Sequence, residues 1–387
     1  MTEIRVDTIV DAAGTGAPNF TTAPTVGGVA LGSLATSSFT SSGTAPSSPS
    51  NGAVWWDTAN SALMIYVNSA WQTVTLGVIP PGPAYFGDRM LMALGNLGAS
   101  PWQSDAIKYF DITANSASAS SFGNLSATRA YASGSSGEGR GLFAGGAQNS
   151  GGVVNTIEYV TIANAGNGTD FGDLTATAFG IASASDATTA IHSMASNVHT
   201  GHIQKVTIAS TGNATSWSGT LNSNRSNGAA ASDGTKGFFI GGFTASSSTA
   251  VNTIDYVTIS TDANAADWGD LNTARKDPGQ DAACGTSSRV LVAGGNDTGG
   301  SRTASIEYIN PASASNAYSF GNLTAALFYT TSACNEDRAV FANGLNASSH
   351  FQQIMNYVQI SSAGNAASWG NSGTTSYGTG SLSGAAS

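Results

Sequence analysis

The side chains best suited to chemistry in this sequence are its histidines and cysteines, and they form no complete metal-binding or catalytic set. His199 and His202 could place two imidazoles near a metal ion, but no acidic ligand lies close to them in the sequence. Cys284 and Cys334 stand alone rather than in a Cys-x-x-Cys pair, which argues against structural zinc and thioredoxin-like chemistry. We therefore predict neither a metal ion nor a cofactor.

Recognisable catalytic motifs are also missing from the sequence. It contains no Gly-x-Ser-x-Gly elbow and no phosphate-binding loop. Glycine pairs such as Gly145-Gly146 end apolar runs and are typical of tight turns. We expect no catalytic residues and no enzyme activity. Carboxylates that are distant in sequence could still meet in the fold, so a glycan-processing enzyme remains the alternative.

The charge balance argues against polyanions as partners. The 387 residues include 13 Lys and Arg against 23 Asp and Glu, which gives a formal net charge of −10. The basic residues form no run that could neutralise phosphates, so we expect no nucleic acid partner. No apolar stretch approaches the ~18 residues of a membrane-spanning helix, and the N-terminus lacks the pattern of a secretory signal. We therefore expect no membrane insertion.

An internal repeat organises most of the chain. Its period is about fifty residues, and three anchors stay in phase through six copies. One anchor is an aromatic residue followed in most copies by Gly, then Asn or Asp, and it begins at Phe122, Phe171, Trp217, Trp268, Phe320 and Trp369. A second anchor is a tyrosine about twelve residues earlier, and a third is an apolar run ending in Gly-Gly. The acids Glu158, Asp255 and Glu307 occupy equivalent positions in the repeat, which favours a structural role for them.

Each repeat has the pattern of β-strands. Residues 253–259 alternate apolar and polar side chains, and residues 237–242 form a short apolar run closed by glycines. No helical periodicity of useful length is present. Four short strands in about fifty residues are the size of one propeller blade. We therefore predict an all-β fold with a six-bladed β-propeller over residues 79–387.

The C-terminal segment is predicted to complete the first blade. Residues 377–382 follow the sixth copy and have no further blade to join. A strand there would lie beside the strand at residues 89–94 and would remove an exposed sheet edge.

The anchors resemble the kelch repeat, a propeller family. The best copy contains Phe239-Ile240-Gly241-Gly242, then Tyr256, Trp268 and Arg275. Arg129 and Arg225 also match the family's arginine, whereas Ala178 and Leu327 stand in its place in two other copies. The resemblance implies the architecture and says little about function.

Residues 1–77 differ from the repeats and resemble parts of bacteriophage virion proteins. The signature Trp55-Trp56-Asp57, Leu63-x-Ile65-Tyr66 and Trp71 is similar to a module of tail fibres. Residues 4–10 and 14–20 are similar to the N-termini of marine phage virion proteins. We divide the chain into an attachment segment (1–43), a Trp-rich β-hairpin module (44–78) and the propeller (79–387). The resemblance implies location in the virion tail, attachment of residues 1–77 to other tail or adaptor proteins, and a homotrimer.

The loops after the Gly-Gly anchors vary most among the copies. Binding residues concentrate on variable loops carried by rigid scaffolds. We predict that receptor contacts come from six residues of these loops: Trp102, His199, His202, Phe243, Arg302 and His350. The predicted function is that of a tail fibre or receptor-binding protein that adheres to a host surface glycan or protein. A purely structural virion component, with the propeller as a spacer, is a further alternative.

Overall fold

The structure, a computed structural model, is all-β, as the sequence predicts. It describes residues 25–26, 29–30, 40–50, 53–59, 62–67, 69–73, 85–98, 100, 102–137, 139–149, 151–196, 201–244, 249–279 and 281–384. These residues form strands, turns and loops, and none of them belongs to a helix that could cross a membrane. The chain divides into two compact units, Met1–Pro80 and Pro81–Ser387, close to the predicted boundary at residue 78.

The first unit contains a four-stranded sheet rich in tryptophan. Its strands and those of a small hairpin are β1 (Thr25–Val26), β2 (Val29–Ala30), β3 (Thr40–Ser42), β4 (Val54–Asp57), β5 (Ala62–Val67) and β6 (Ala70–Thr73). Strands β4 to β6 form the predicted antiparallel meander, and β3 lies parallel to β4. The indole N–H of Trp55 donates to the carbonyl of Ser42 at 3.0 Å. The sheet therefore extends across the boundary predicted at residue 43.

The described part of the second unit contains six four-stranded antiparallel sheets. Sheet 1 consists of β7 (Arg89–Ala93), β8 (Ala106–Asp111), β9 (Ser120–Asn124) and the C-terminal strand β32 (Gly380–Gly384). Sheet 2 consists of β10 (Ser133–Gly137), β11 (Arg140–Ala144), β12 (Thr156–Thr161) and β13 (Thr169–Asp173). Sheet 3 consists of β14 (Ala182–Ser185), β15 (Thr189–Ser193), β16 (His202–Thr207) and β17 (Thr215–Thr220).

The remaining sheets repeat this order. Sheet 4 consists of β19 (Ala229–Ser232), β20 (Lys236–Ile240), β22 (Thr253–Thr258) and β23 (Ala266–Asp270), and a small ladder beside it joins β18 (Arg225–Ser226) to β21 (Phe243–Thr244). Sheet 5 consists of β24 (Ala283–Gly285), β25 (Val290–Ala293), β26 (Ser305–Ile309) and β27 (Tyr318–Asn322). Sheet 6 consists of β28 (Thr331–Cys334), β29 (Arg338–Ala342), β30 (Ile354–Gln359) and β31 (Ala367–Asn371).

One edge strand of each sheet, β32 in sheet 1 and the lowest-numbered strand in the other five, contacts the corresponding strands of two other sheets. These central strands follow the cyclic order β32, β10, β14, β19, β24, β28 and again β32. Short hydroxyl side chains join them: Ser136 Oγ donates to the carbonyl of Ser383 at 2.7 Å, and Ser185 Oγ donates to that of Ser136 at 2.8 Å. Glycine permits close approach, since a Cβ on Gly134 would lie 2.1 Å from the carbonyl oxygen of Ser381. Small residues are therefore required where the strands converge.

The C-terminal strand pairs as the sequence predicts. Strand β32 is antiparallel to β7, with Gly380 opposite Ala93 and Gly384 opposite Arg89. It begins three residues later than the predicted segment 377–382, because Tyr377, Gly378 and Thr379 turn the chain into the strand. Sheet 1 is thus assembled from both ends of the second unit.

The aromatic-Gly anchor positions each sheet against the next. Phe122 is buried in the core, and a Cβ on Gly123 would lie 2.1 Å from the carbonyl oxygen of Gly166 in sheet 2. The side chain of Asn167, beside that glycine, accepts the N–H of Asn124 at 3.0 Å. Equivalent asparagines in later sheets are Asn213, Asn264, Asn316 and Asn365.

The tyrosine anchor holds a cation that joins neighbouring sheets. Arg140 lies 4.7 Å from the ring centroid of Tyr159 and donates to the carbonyl of Ile208 in sheet 3 at 2.9 Å. Such a cation–π contact contributes about 0.5–2 kcal/mol. The same arrangement recurs at Arg89 with Tyr109, Arg289 with Tyr308, and Arg338 with Tyr357. Sheet 3, which has Lys205 in place of the tyrosine, has Thr189 in place of the arginine.

Candidate functional site

The repeat acids hold buried arginines, which supports the structural role expected for them. Arg225 and Asp255 are both fully buried and lie 2.8 Å apart. Arg129 pairs with Glu158, and Arg275 pairs with Glu307. Burial lowers the pKa of each guanidinium, and the carboxylate partner opposes that shift. These carboxylates are committed to ion pairs and are not placed for acid–base catalysis.

Copies without the arginine also lack the acid. Ala178, Leu327 and Ser376 occupy the arginine position, and Gln204, Asn356 and Lys108 respectively occupy the acid position. An unpaired buried carboxylate would cost several kcal/mol, so the acid is absent wherever the arginine is absent. Lys108 is only half-buried, and its ammonium group donates to the carbonyl of Ser372 at 3.0 Å. The amide oxygens of Gln204 and Asn356 still accept backbone N–H groups of the preceding loop, at 2.8 and 3.0 Å.

Two sets of loops meet on one side of the second unit, here called the Gly-Gly face. One set follows the strand that pairs with each central strand, which is β7 in sheet 1. The other set leads into the central strands. The N–H of Gly146 donates to Ala178 at 2.8 Å, and that of Gly242 donates to Arg275 at 2.9 Å. The antiparallel strand order places both loop sets on this side.

The structure places four of the predicted receptor-binding residues in these loops. Trp102 is 61% exposed and has a positive φ of 29°, which is rare for a bulky residue. Phe243 lies under the Lys276 ammonium group, 5.5 Å from the ring centroid. Arg302 donates to Ser349 Oγ at 3.0 Å, directly beside the exposed His350. The loops of Arg302 and His350 are therefore adjacent.

The two described histidines of the third copy, His192 and His202, lie in strands β15 and β16. His202 starts β16, and its carbonyl accepts the Ser193 hydroxyl at 2.8 Å, whereas His199 lies outside the described residues. His192 is fully buried, and its Nδ1 lies 2.7 Å from Ser183 Oγ. Burial lowers the pKa of His192 to about 4, so it is neutral at pH 7. Among the described residues, no group of three or more His, Cys, Asp or Glu side chains could hold a metal ion.

A cluster of tyrosines lies on the Gly-Gly face where the central strands begin. The rings of Tyr131, Tyr329 and Tyr377 come from three different sheets, and their centroids are 5.7 to 5.8 Å apart. Phe179 lies 5.9 Å from Tyr131, and Phe351 lies 4.9 Å from Tyr377. All five side chains are half-buried. They form an aromatic floor that remains partly open to solvent.

Polar side chains surround this floor. The Tyr329 hydroxyl donates to Asp277 Oδ1 at 3.2 Å, and Asn227 Nδ2 donates to the same oxygen at 2.6 Å. The backbone of Asn96 is hydrogen-bonded to that of Tyr377, at 2.9 and 3.1 Å. The axial cluster is defined here as Tyr131, Tyr329, Tyr377, Asp277, Asn227 and Asn96. Burial raises the pKa of Tyr131 and of Tyr329, so both phenols are neutral.

The sequence contained a signal for the axial cluster that the repeat analysis missed. Tyr131, Asn227, Asp277 and Tyr329 each lie two residues after the arginine position of their copy. Tyrosine occurs at this position in only two of the six copies, so the position does not appear as a repeat anchor. Only the convergence of the central strands brings these four positions together.

Below the axial cluster, the central strands surround a cavity of about 70 Å³. The carboxylate of Asp281 accepts the N–H groups of Gly134 at 2.9 Å and Ser381 at 2.8 Å, which joins three sheets. Burial raises the pKa of Asp281. Tyr85 also lines the cavity, with the free thiols of Cys284 and Cys334. At this volume the cavity has room for a few water molecules.

Compared with models of known protein families and with curated proteins, the sequence matches none.

Proposed function

We propose that the six sheets are the blades of a kelch-like β-propeller. The cyclic contacts of the central strands and the pairing of β32 with β7 support this architecture. So do the repeated contacts between neighbouring sheets, such as Arg140 with Ile208 and Asn167 with Asn124. Radial repetition of this kind leaves only short outer strands as sheet edges.

We further propose that the chain is a bacteriophage virion protein of the tail-fibre type, which adheres to the host surface through its Gly-Gly face. The observation that carries this proposal is the gathering of half-buried and exposed aromatics, including Trp102, around polar side chains on this one face. Aromatic side chains in such a setting supply much of the binding energy at interfaces. Commitment of the repeat acids to ion pairs supports binding rather than glycan processing.

Adsorption to host cells tests this role directly. Particles carrying Trp102→Ala together with Phe243→Ala should adsorb more weakly than wild type, while the melting temperature of the protein changes little. Tyr318→Ala is the matched control, because Tyr318 is 48% exposed but lies on the outer strand β27. Normal adsorption of the double variant, or an equal loss in the control, would contradict the choice of the Gly-Gly face.

Residues 1–77 would attach the propeller to other tail proteins, as a homotrimer. The motifs of this segment and its separate Trp-rich sheet support that division. A chain lacking residues 1–77 should fold and remain soluble but should be missing from purified particles. Normal incorporation of the truncated chain would place the attachment site in the propeller instead.

A further inference from the structure

We propose that the axial cluster binds one uncharged pyranose ring of a host glycan, an inference that rests on the proposed adhesive function. The cluster offers an aromatic floor surrounded by phenol, amide and carboxylate groups. Ligand sites have this composition, with apolar and aromatic walls and a few polar groups that fix orientation.

At four positions of the cluster the backbone adopts a conformation that is less favourable for residues with a side chain than for glycine. Tyr131 and Tyr329 have φ values of 60° and 52°, and Asn227 and Asp277 have values of 51° and 53°. In this left-handed region glycine is preferred, and Gly180 and Gly378 occupy the equivalent positions of the other two copies. For Tyr131 and Tyr329, strain of this kind costs about 1–3 kcal/mol and concentrates at functional sites. Asn and Asp adopt this region more readily.

The hydrogen-bonding groups of the cluster suit the binding of a sugar ring better than a purely structural packing role. Aromatic rings alone would be enough for packing. This cluster also has three phenol hydroxyls, two amides and one half-buried carboxylate. Hydroxyls, amides and a carboxylate together provide both donors and acceptors, which the hydroxyl groups of a sugar require. Partly exposed aromatic faces cover the apolar side of such a ring.

Charge favours an uncharged sugar over an acidic one. Asp277 is the carboxylate of the cluster, and its Oδ1 accepts hydrogen bonds from Tyr329 and Asn227. The chain as a whole carries a net charge of −10. A carboxylate on the ligand would be repelled at this position, so sialic and uronic acids should bind poorly.

The residues predicted from the sequence flank this position and suit the rest of a glycan. The Arg302 guanidinium lies 4.5 Å from the ring centroid of Phe328, and that ring lies 4.9 Å from the ring of Tyr329. Phe351, next to His350, contacts Tyr377. One sugar would occupy the cluster, and the following sugars would extend across the loops of Arg302 and His350.

The test measures binding of neutral sugars to the full chain by ligand-observed NMR and by calorimetry. The probes are glucose, galactose, mannose and N-acetylglucosamine with their short oligosaccharides, and N-acetylneuraminic acid and glucuronic acid represent acidic sugars. Tyr329→Phe and Asp277→Asn keep the shape of the floor and should each weaken binding about tenfold. Tyr318→Phe, the same change on the outer strand β27, should leave binding unchanged. Melting temperatures of all variants show whether the fold is intact.

Binding of a neutral probe that is lost in both cluster variants and kept in Tyr318→Phe supports the proposal. Three outcomes overturn it: no binding of any neutral probe, binding that the two variants leave unchanged, or preference for the acidic sugars. Adsorption of particles separates this inference from the function on which it rests. If Tyr329→Phe and Asp277→Asn particles adsorb normally while the Trp102 and Phe243 variant does not, adhesion stands and the axial sugar site is wrong.

Discussion

At the scale of single residues, the buried arginine–acid pairs explain why the residue types at two positions of the repeat depend on each other. Arg225 donates to the carbonyls of Gly241 at 2.9 Å and Thr253 at 2.7 Å, as well as to the carboxylate of Asp255. The guanidinium therefore connects the segment before the central strand with the second and third strands of sheet 4. In sheet 6 the uncharged residues Leu327 and Asn356 occupy the same two positions.

Replacing one partner should destabilise the protein more than replacing both. Arg225→Leu leaves the fully buried Asp255 carboxylate without its cation and should lower the free energy of unfolding by about 3–5 kcal/mol. Adding Asp255→Asn recreates the pair found in sheet 6 and should restore a large part of that loss. Urea denaturation of the two single variants and the double variant gives the coupling energy. Simple additivity of the two losses would show that the ion pair is not the reason these positions change together.

Because of His192, the free energy of unfolding should decrease in acidic solution. Burial lowers its pKa to about 4, from 6.5 in the unfolded chain, so the folded state favours the neutral ring. The stability that the neutral ring contributes is fully present above pH 6.5. It decreases as the pH falls from 6.5 to the folded-state pKa, and about 3 kcal/mol is lost at pH 4. The drop in unfolding free energy between pH 7 and pH 4 should therefore be smaller in His192→Gln than in wild type. Equal drops in the two proteins would mean that His192 does not contribute.

At the scale of strands and loops, the aromatic-Gly anchor is a contact between sheets rather than a feature within one strand. The carbonyl of Gly166 reaches the backbone of Gly123, and this approach is possible only without a side chain at residue 123. Gly166 itself has open space around it, although it belongs to the same contact.

The two glycines should therefore respond differently to the same substitution. Gly123→Ala places a methyl group 2.1 Å from the Gly166 carbonyl oxygen, so sheets 1 and 2 must separate, at a cost of about 1–3 kcal/mol. Gly166→Ala meets no heavy atom within 4 Å and should change stability little. Thermal unfolding of both variants measures the difference. If Gly166→Ala were equally destabilising, backbone flexibility rather than close approach would account for the anchor.

The sequence predicted the elements well and their contacts poorly. The four strands of each copy and the pairing of the last strand with the first sheet follow from alternation, Gly-Gly ends and a leftover segment. The asparagines such as Asn167 and the cations such as Arg140 were not predicted, because their partners lie in the next repeat. The axial cluster was missed for the same reason, since its members meet only where six strands converge. Trp102 and Arg302 lie in the loops that the sequence marks as variable, and their role in binding stays a prediction.

At the scale of the whole molecule, sheet 1 depends on both ends of the second unit. Strand β32 covers the edge of β7, whose residues Met90, Leu91 and Met92 are fully buried. The carboxylate of Asp281 binds the backbone of β32 at Ser381, and Ser383 Oγ donates to the carbonyl of Cys334. The last strand therefore joins sheet 1 to sheets 5 and 6.

Deletion of residues 380–387 should prevent formation of a soluble, cooperatively folded protein. It removes every hydrogen bond between β32 and β7 and leaves an apolar strand edge open to pairing with other chains. Moving residues 376–384 to a position directly before Tyr85 should restore folding, because the new junction would be short. The carbonyl oxygens of Tyr85 and Ser383 both lie within 2.8 Å of Ser136 Oγ. Solubility, size-exclusion chromatography and thermal unfolding compare the deleted, rearranged and native chains. A deleted chain that is monomeric and melts as the native one does would contradict closure by the C-terminal strand. A rearranged chain that fails where the native chain folds would show that the order of synthesis matters as well as the pairing.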